Sequence, residues 1–492
     1  MNQQILHMYV NGRWTDAEGG NWREIIDPAT EHVIAQVPEG SDADADRAIE
    51  AARRAFDDGA WRRTSARDRA RIVYEIGEAI EADREKLAEL ESLDTGKTVT
   101  ESLADMDDIA ACFRYFASAA ATQSGALNEP PGGALSMAFH EPVGVCSLIT
   151  PWNYPLLQTA WKVAPALATG NSAVLKPSEI TPLTAIRLAE IIDGIDIPKG
   201  VFNVVLGPGD PVGETMVTHE AVDMVSFTGG EVTGRRIMSR AAETIKKVAL
   251  ELGGKNPNIV FADAEFDTAL DFALNAAYFH AGQVCSAGSR LLVEAKLHDR
   301  FVDALVNRVG RIRVGNGFDE GTEMGPVISA EHRAKIERYL ELAPEKGAQI
   351  VCGGKRPQGE EFEKGFWLEP TVITGVQPDM RVAREEIFGP VITVETFSDE
   401  DEAIRMANGT PYGLAGGVWT QDFSKGYRVA RGLRIGTVWI NDFHPYYPEA
   451  PWGGFKHSGI GRELSKVGLD EYTELKHVHA NLDPQPLGWF KG

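Results

Sequence analysis

Val143-Gly-Val-Cys-Ser-Leu-Ile149 is the first of five short β-branched runs; Ala173-Val-Leu175, Val201-Phe-Asn-Val-Val-Leu206, Val222-Asp-Met-Val-Ser-Phe227 and Asn258-Ile-Val-Phe261 follow it. Helix-like stretches separate them, the first opened by Pro155. Strand alternating with helix is βαβ rhythm, which predicts a parallel sheet. A second alternation runs through Val391 to Phe397, a helix from Ser398 to Asn408-Gly409, and strands Leu414 to Trp419 and Thr437 to Asn441, predicting a second α/β domain. Upstream, Tyr9-Val-Asn-Gly-Arg-Trp14 sets the strongest hairpin dipeptide between apolar residues. Ala45, Ala48, Ile49, Ala52 and Phe56 behind Ser41, and Ile72, Val73, Ile76 and Ile80 behind Ser65, fall at helical spacing. Glu129-Pro-Pro-Gly-Gly133 and Ala450-Pro-Trp-Gly-Gly454 interrupt the rhythm, and the first leads into an expected projecting arm.

The 492 residues suffice for two or three domains, and 43% hydrophobic with 25% charged residues is a globular balance. Forty-nine basic against 72 acidic residues give a net charge of -23 with no basic run, which argues against nucleic acid and anionic membranes as partners. The N-terminus lacks a cationic start followed by an apolar core, so cytoplasm is the expected location. Cys112, Cys146, Cys285 and Cys352 are scattered, without the spacing of a disulfide framework or structural zinc.

Chemistry concentrates in two stretches. Leu250-Glu-Leu-Gly-Gly-Lys255 carries Glu251, and Phe279-His-Ala-Gly-Gln-Val-Cys-Ser-Ala-Gly-Ser-Arg290 carries Cys285. A thiolate attacks carbonyl carbon readily at neutral pH, and a carboxylate can later activate water to release the acyl group. A free cysteine is usually a small buried hydrophobe. Here Gly282, Ser286, Ala287 and Gly288 are expected to clear space around the sulfur, and a helix N-terminus nearby would lower its pKa. Gly253-Gly254 would let the Glu251 carboxylate swing or a nicotinamide approach. Asn153, in Ile149-Thr-Pro-Trp-Asn-Tyr-Pro155, stands where a strand meets a helix and could donate to an oxyanion. Gly207-Pro-Gly209 and Gly229-Gly-Glu-Val-Thr-Gly234 offer anion sites, though neither fits the Gly-x-Gly-x-x-Gly fingerprint. Lys176 and Glu179 could grip ribose hydroxyls, and the carboxylate would repel a 2′-phosphate, favouring NAD over NADP.

In this order the motifs resemble the aldehyde dehydrogenase superfamily over essentially the full chain. The resemblance implies Cys285 as nucleophile, Glu251 as general base, Asn153 with the Cys285 backbone N–H as oxyanion hole, and Lys162 and Glu463 as proton relay. It implies a thiohemiacetal that gives hydride to NAD and a thioester that water cleaves. Glu386 and Phe388 match positions that hold the nicotinamide ribose and ring. Ile149, Thr150, Pro151, Trp152, Lys176, Glu179, Gly209, Phe227, Thr228, Gly229, Gly230, Thr233 and Leu252 line the rest of the cofactor. Gly230 replaces the serine of many relatives and removes a hydroxyl near the pyrophosphate.

The implied α/β architecture is a Rossmann-type NAD-binding domain (1–120 and 144–253), a second α/β catalytic domain (254–452) and a small β oligomerisation arm (121–143 and 468–492) serving a homodimer or homotetramer. A potassium ion bound through the carbonyls of Ile26 and Ile180 with Asp94 is also implied. Tyr154, Trp161, Phe279 and Trp452 resemble the aromatic box of the betaine aldehyde branch, where ring faces hold a trimethylammonium head by cation–π attraction. The expected small-molecule substrate is therefore betaine aldehyde, with glycine betaine as product. Plant relatives carry Trp at the position of Phe279, which keeps amino aldehydes such as 4-aminobutyraldehyde, and a broad-specificity enzyme, as alternatives. A CoA-acylating enzyme has little use for a base, so Glu251 argues for hydrolysis.

Overall fold

A computed structural model describes residues 4–131 and 134–490. Residues 1–3, in the expected NAD-binding domain, and 132–133 and 491–492, in the expected arm, lie outside the described residues. The Asn11-Gly12 hairpin forms as read: Met8–Val10 pairs antiparallel with Arg13–Thr15, and both turn residues take the positive φ that this two-residue turn requires (54° and 68°). Ser41 caps the helix Asp42–Asp58 and Ser65 caps Ala66–Ala82, and the apolar stripes read from both are buried.

The largest sheet has eight strands in the order Gly459–Ile460, Lys247–Leu252, Met224–Gly229, Val145–Ile149, Ser172–Lys176, Phe202–Val204, Met8–Val10, Arg13–Thr15. The five from Lys247–Leu252 to Phe202–Val204 are parallel. From Val145–Ile149 the chain builds outward one way through Ser172–Lys176 and Phe202–Val204, then returns to the other side with Met224–Gly229. That reversal leaves a crevice at the carboxyl ends of Val145–Ile149 and Met224–Gly229, where open α/β sheets bind ligands.

The fifth run corrects the sequence reading. Pro257–Val260 pairs with Arg290–Glu294 and Ala415–Trp419 in a second, seven-stranded sheet, and Lys247–Leu252 joins the first sheet instead. Both strands are buried, and hydropathy does not reveal to which sheet a buried strand belongs. The second sheet runs Gln349–Cys352, Thr371–Thr374, Val391–Phe397, Arg290–Glu294, Pro257–Val260, Ala415–Trp419, Thr437–Ile440, parallel except for its first edge strand. Only residues 253–256 connect Lys247–Leu252 to Pro257–Val260, so the carboxyl edge of one sheet meets the amino edge of the other. Asn256 secures this seam: its amide donates to the carbonyls of Cys285 (2.8 Å) and Ala287 (3.0 Å), and its oxygen accepts from Ala415 N–H.

Two three-stranded sheets stand apart, Gln4–Ile5 with Val33–Pro38 and Trp22–Ile26, and Ala126–Asn128 with Leu135–Pro142 and Thr473–Ala480. The latter carries exposed Leu127, Phe139, Leu475 and Val478, and Leu487, Trp489 and Phe490 beyond it are also exposed.

Candidate active site

Three cavities join at this seam. One of about 400 Å³ follows the crevice of the first sheet and is lined by Ile149, Thr150, Pro151, Trp152, Lys176, Glu179, Gly209, Phe227, Thr228, Gly229, Gly230 and Thr233. A narrower one of about 180 Å³ shares Pro151, Trp152 and Thr228–Gly230 with it and adds Asn153, Glu251, Leu252, Cys285, Glu386 and Phe388. The third, about 400 Å³, reaches Cys285 from the opposite side and is walled by Tyr154, Trp161, Phe279 and Trp452. Every residue expected for cofactor or substrate binding lines this continuous passage, with Cys285 where its arms meet.

Cys285 lies on the loop between the helix Phe266–Tyr278 and the strand Arg290–Glu294. The expected helix N-terminus is absent there: the loop leaves a helix C-terminus. Burial, reinforced by the Glu251 and Glu386 carboxylates, pushes the thiol up rather than down. His280, Ala281 and Gly282 all hold positive φ (47°, 51° and 68°). Such backbone is costly for the two non-glycine residues and persists because the surroundings fix it; Glu101 accepts the His280 N–H at 2.7 Å. The glycines also have another role than expected. A Cβ on Gly282 would sit 2.2 Å from the Gly389 carbonyl, and one on Gly288 would meet the Phe443 ring at 2.8 Å. They admit neighbouring elements rather than clearing space for sulfur.

Glu251 is the penultimate residue of the strand Lys247–Leu252, and its carboxyl group is buried. Oε2 accepts the indole N–H of Trp452 at 2.9 Å, while Oε1 is buried and has no hydrogen bond among the described residues. Burial, with Glu463 nearby, raises its pKa to about 8. Asn153 donates to the Gln283 carbonyl at 2.8 Å, two residues before the nucleophile. Behind the cavities, Lys162 and Glu463 form a buried ion pair at 2.5 Å. The missing side chain of Gly253 makes room for Glu386, whose carboxylate accepts from Gly254 N–H at 2.9 Å and is raised to about 7 by burial. Lys176 and Glu179 pair with each other at 3.6 Å.

On the aromatic side, Trp161 lies 6.0 Å from Trp452 and 5.4 Å from Tyr446, ring to ring, and Phe279 is 6.1 Å from His444. Tyr154 already carries the Lys97 ammonium over its ring at 4.1 Å, and Lys97 is held by Glu91 and Asp105. Asp105 and Asp108 line the same cavity, the first paired with Lys97 and the second accepting from the Tyr446 hydroxyl at 2.8 Å.

Sequence reasoning missed Tyr446, Asp105, Asp108 and His332. His332 packs edge-on against Trp152 and Phe388, contacts the Phe388 carbonyl at 2.6 Å, and is lowered to about 4 by burial. It comes from a helix, Ala330–Glu345, with no local signal pointing to a site. Of the positions expected for potassium, Asp94 is fully buried; one oxygen accepts from Leu183 N–H at 2.9 Å and the other has no hydrogen bond among the described residues. Ile26 ends the strand Trp22–Ile26, and Ile180 sits in the turn before Leu183.

The sequence profile of the aldehyde dehydrogenase family matches residues 14–478. Betaine aldehyde dehydrogenase of Bacillus subtilis (strain 168) is 57% identical over 98% of this chain and 99% of its own length. The peroxisomal aminoaldehyde dehydrogenase 1 of Pisum sativum is 41% identical over 98% of this chain and 97% of its own. A crystal structure of Staphylococcus aureus betaine aldehyde dehydrogenase in complex with NAD+ superposes with a TM-score of 0.98 at 55% identity, covering 99% of this chain and 96% of that one. Among the described residues no helix is long and apolar enough to cross a membrane.

Proposed function

The chain belongs to the aldehyde dehydrogenase family, and we propose that it oxidises betaine aldehyde to glycine betaine with NAD as hydride acceptor. The observation that carries the substrate assignment is the cage of Tyr154, Trp161, Phe279 and Trp452 around one approach to Cys285. Aromatic faces attract a quaternary ammonium by about 0.5–2 kcal/mol each, and Asp108 adds a carboxyl group to the lining of the same cavity. The Bacillus and Staphylococcus relatives support the same substrate.

Cys285 Sγ adds to the aldehyde carbon and the oxygen takes the negative charge. A buried thiol is protonated at rest, so a base has to take its proton, and Glu251 with a pKa of about 8 is matched to that task. Asn153 and the Cys285 backbone N–H are the donors for the oxyanion. Cofactor residues fit NAD: an open crevice at Gly209 and Gly230, where a Cβ would meet nothing within 4 Å, gives way to a passage beside Glu386 and Phe388. When bound, NAD supplies the hydride acceptor. Glu251, once it has handed the thiol's proton to the Lys162–Glu463 pair, takes a proton from water, whose oxygen attacks the acyl carbon; the C–S bond breaks, the acid leaves and the released thiolate takes up a proton to return to the resting thiol. The Lys162–Glu463 pair passes the proton onward.

The orphan oxygen of Asp94 fits a monovalent cation, for which main-chain carbonyls at Ile26 and Ile180 are the further ligands. The exposed apolar side chains of the arm sheet and the C-terminal segment support assembly through residues 121–143 and 468–492 into a homodimer or homotetramer. We also place the protein in the cytoplasm as part of this proposal.

Peas carry an aminoaldehyde dehydrogenase 41% identical to this chain, which makes amino aldehydes the competing substrates. Initial rates of NADH formation with betaine aldehyde, 4-aminobutyraldehyde and an uncharged aliphatic aldehyde decide. The highest kcat/KM is expected for betaine aldehyde, and preference for the uncharged compound refutes the cage.

A further inference from the structure

Trp452 meets the catalytic machinery three ways. Its ring walls the substrate cavity, and its indole N–H donates to Glu251 Oε2 at 2.9 Å. Its backbone exchanges two hydrogen bonds with Glu463, at 2.9 and 2.8 Å, in an isolated antiparallel bridge. Glu463 in turn pairs with Lys162, the neighbour of Trp161 on the helix Pro155–Ala168.

We propose that Trp452 is a positioning residue for the general base: its indole N–H holds the Glu251 carboxylate turned toward the Lys162–Glu463 pair, and the carboxylate breaks that bond to swing to Cys285. This deepens the reading of Glu251 as base and rests on it. The indole is not free to follow. Trp161, Trp439 and Tyr446 surround its ring at 6.0, 6.1 and 6.4 Å, and the bridge to Glu463 fixes its backbone. Glu251 Oε1 has no competing donor, so the Trp452 bond is the one specific tether on the carboxyl group among the described residues. The charged or titratable groups facing Glu251 are Glu463, Lys162, Arg462 and Cys285. One residue thereby senses the substrate's head group through its ring and orients the base through its nitrogen.

Trp452→Phe keeps a ring in the cage and deletes the N–H. Losing a donor to a carboxylate disfavours the ionised form, so the pH at half-maximal steady-state turnover is expected to move up by about one unit, with betaine aldehyde and with an uncharged aliphatic aldehyde alike. A residue acting only as cage wall would raise KM for betaine aldehyde and leave both pH profiles in place, which overturns the proposal. In the wild-type protein, the ultraviolet resonance Raman band of the Trp452 indole N–H, identified by difference against Trp452→Phe, is expected to shift as Glu251 titrates. In Glu251→Gln it is expected to stay constant, and an invariant wild-type band also overturns the proposal. If Glu251→Gln keeps full turnover, the base reading itself falls. If Glu251→Gln stalls while Trp452→Phe keeps its pH profile, only the positioning role falls.

Discussion

Glu251→Gln tests the electrostatics at the centre of the site, because the structure makes this carboxyl group a liability for folding. Its pKa rises from 4.5 to about 8, chiefly through burial. At 1.36 kcal/mol per pH unit, that rise corresponds to about 5 kcal/mol of stability. The sign follows from proton counts. Between 4.5 and about 8 the native state keeps a proton that the unfolded chain has released, so stability falls as pH rises through this window and the full cost stands above it. Glutamine has nearly the same shape, accepts the Trp452 N–H and never ionises. Wild type and variant should therefore unfold at similar urea concentrations at about pH 5, and the variant should be the more stable by several kcal/mol at about pH 9. Unfolding at matched protein concentration, followed by tryptophan fluorescence, measures this. Equal displacement at both pH values, or a variant weakened at high pH, refutes the argument. The same variant should form NADH far more slowly and without a burst, since thiol and water have both lost their base.

Cys285→Ala should abolish NADH formation with every aldehyde while calorimetric titration shows NAD binding retained. Lys162→Met leaves Glu463 buried without its partner and should destabilise the fold by about 3–5 kcal/mol; adding Glu463→Gln should recover much of the loss in denaturant unfolding. Lys162 also lowers the Glu251 pKa, so the pH–rate limb of Lys162→Met should move upward. Potassium chloride should raise the melting temperature of the wild-type protein above that in sodium chloride, and Asp94→Asn should erase the difference.

What the sequence disclosed depended on how local each signal was. Asn11-Gly12 and the serine caps act within four residues, and they form as read. Strands announced themselves by composition, yet Pro257–Val260 was assigned to the wrong sheet because pairing partners lie far along the chain. Cys285, Glu251 and Asn153 were legible since their side chains carry chemistry of their own, and the structure gathers them around one passage. Gly282 and Gly288 were misread for a related reason: what an absent side chain admits, here Gly389 and Phe443, belongs to other segments. Asp105 and Tyr446 enter the substrate cavity from a helix and a loop more than 300 residues apart in sequence, with no spacing to mark them.

Nucleophile and base stand on different sides of the seam between the two sheets, which the chain crosses twice, at the four residues 253–256 and again between Thr437–Ile440 and Gly459–Ile460. Parting the two sheets to exchange a dinucleotide would draw Glu251 away from Cys285, so the moment of greatest access is also the moment of least reactivity. Reactivity would return only when the seam is re-formed.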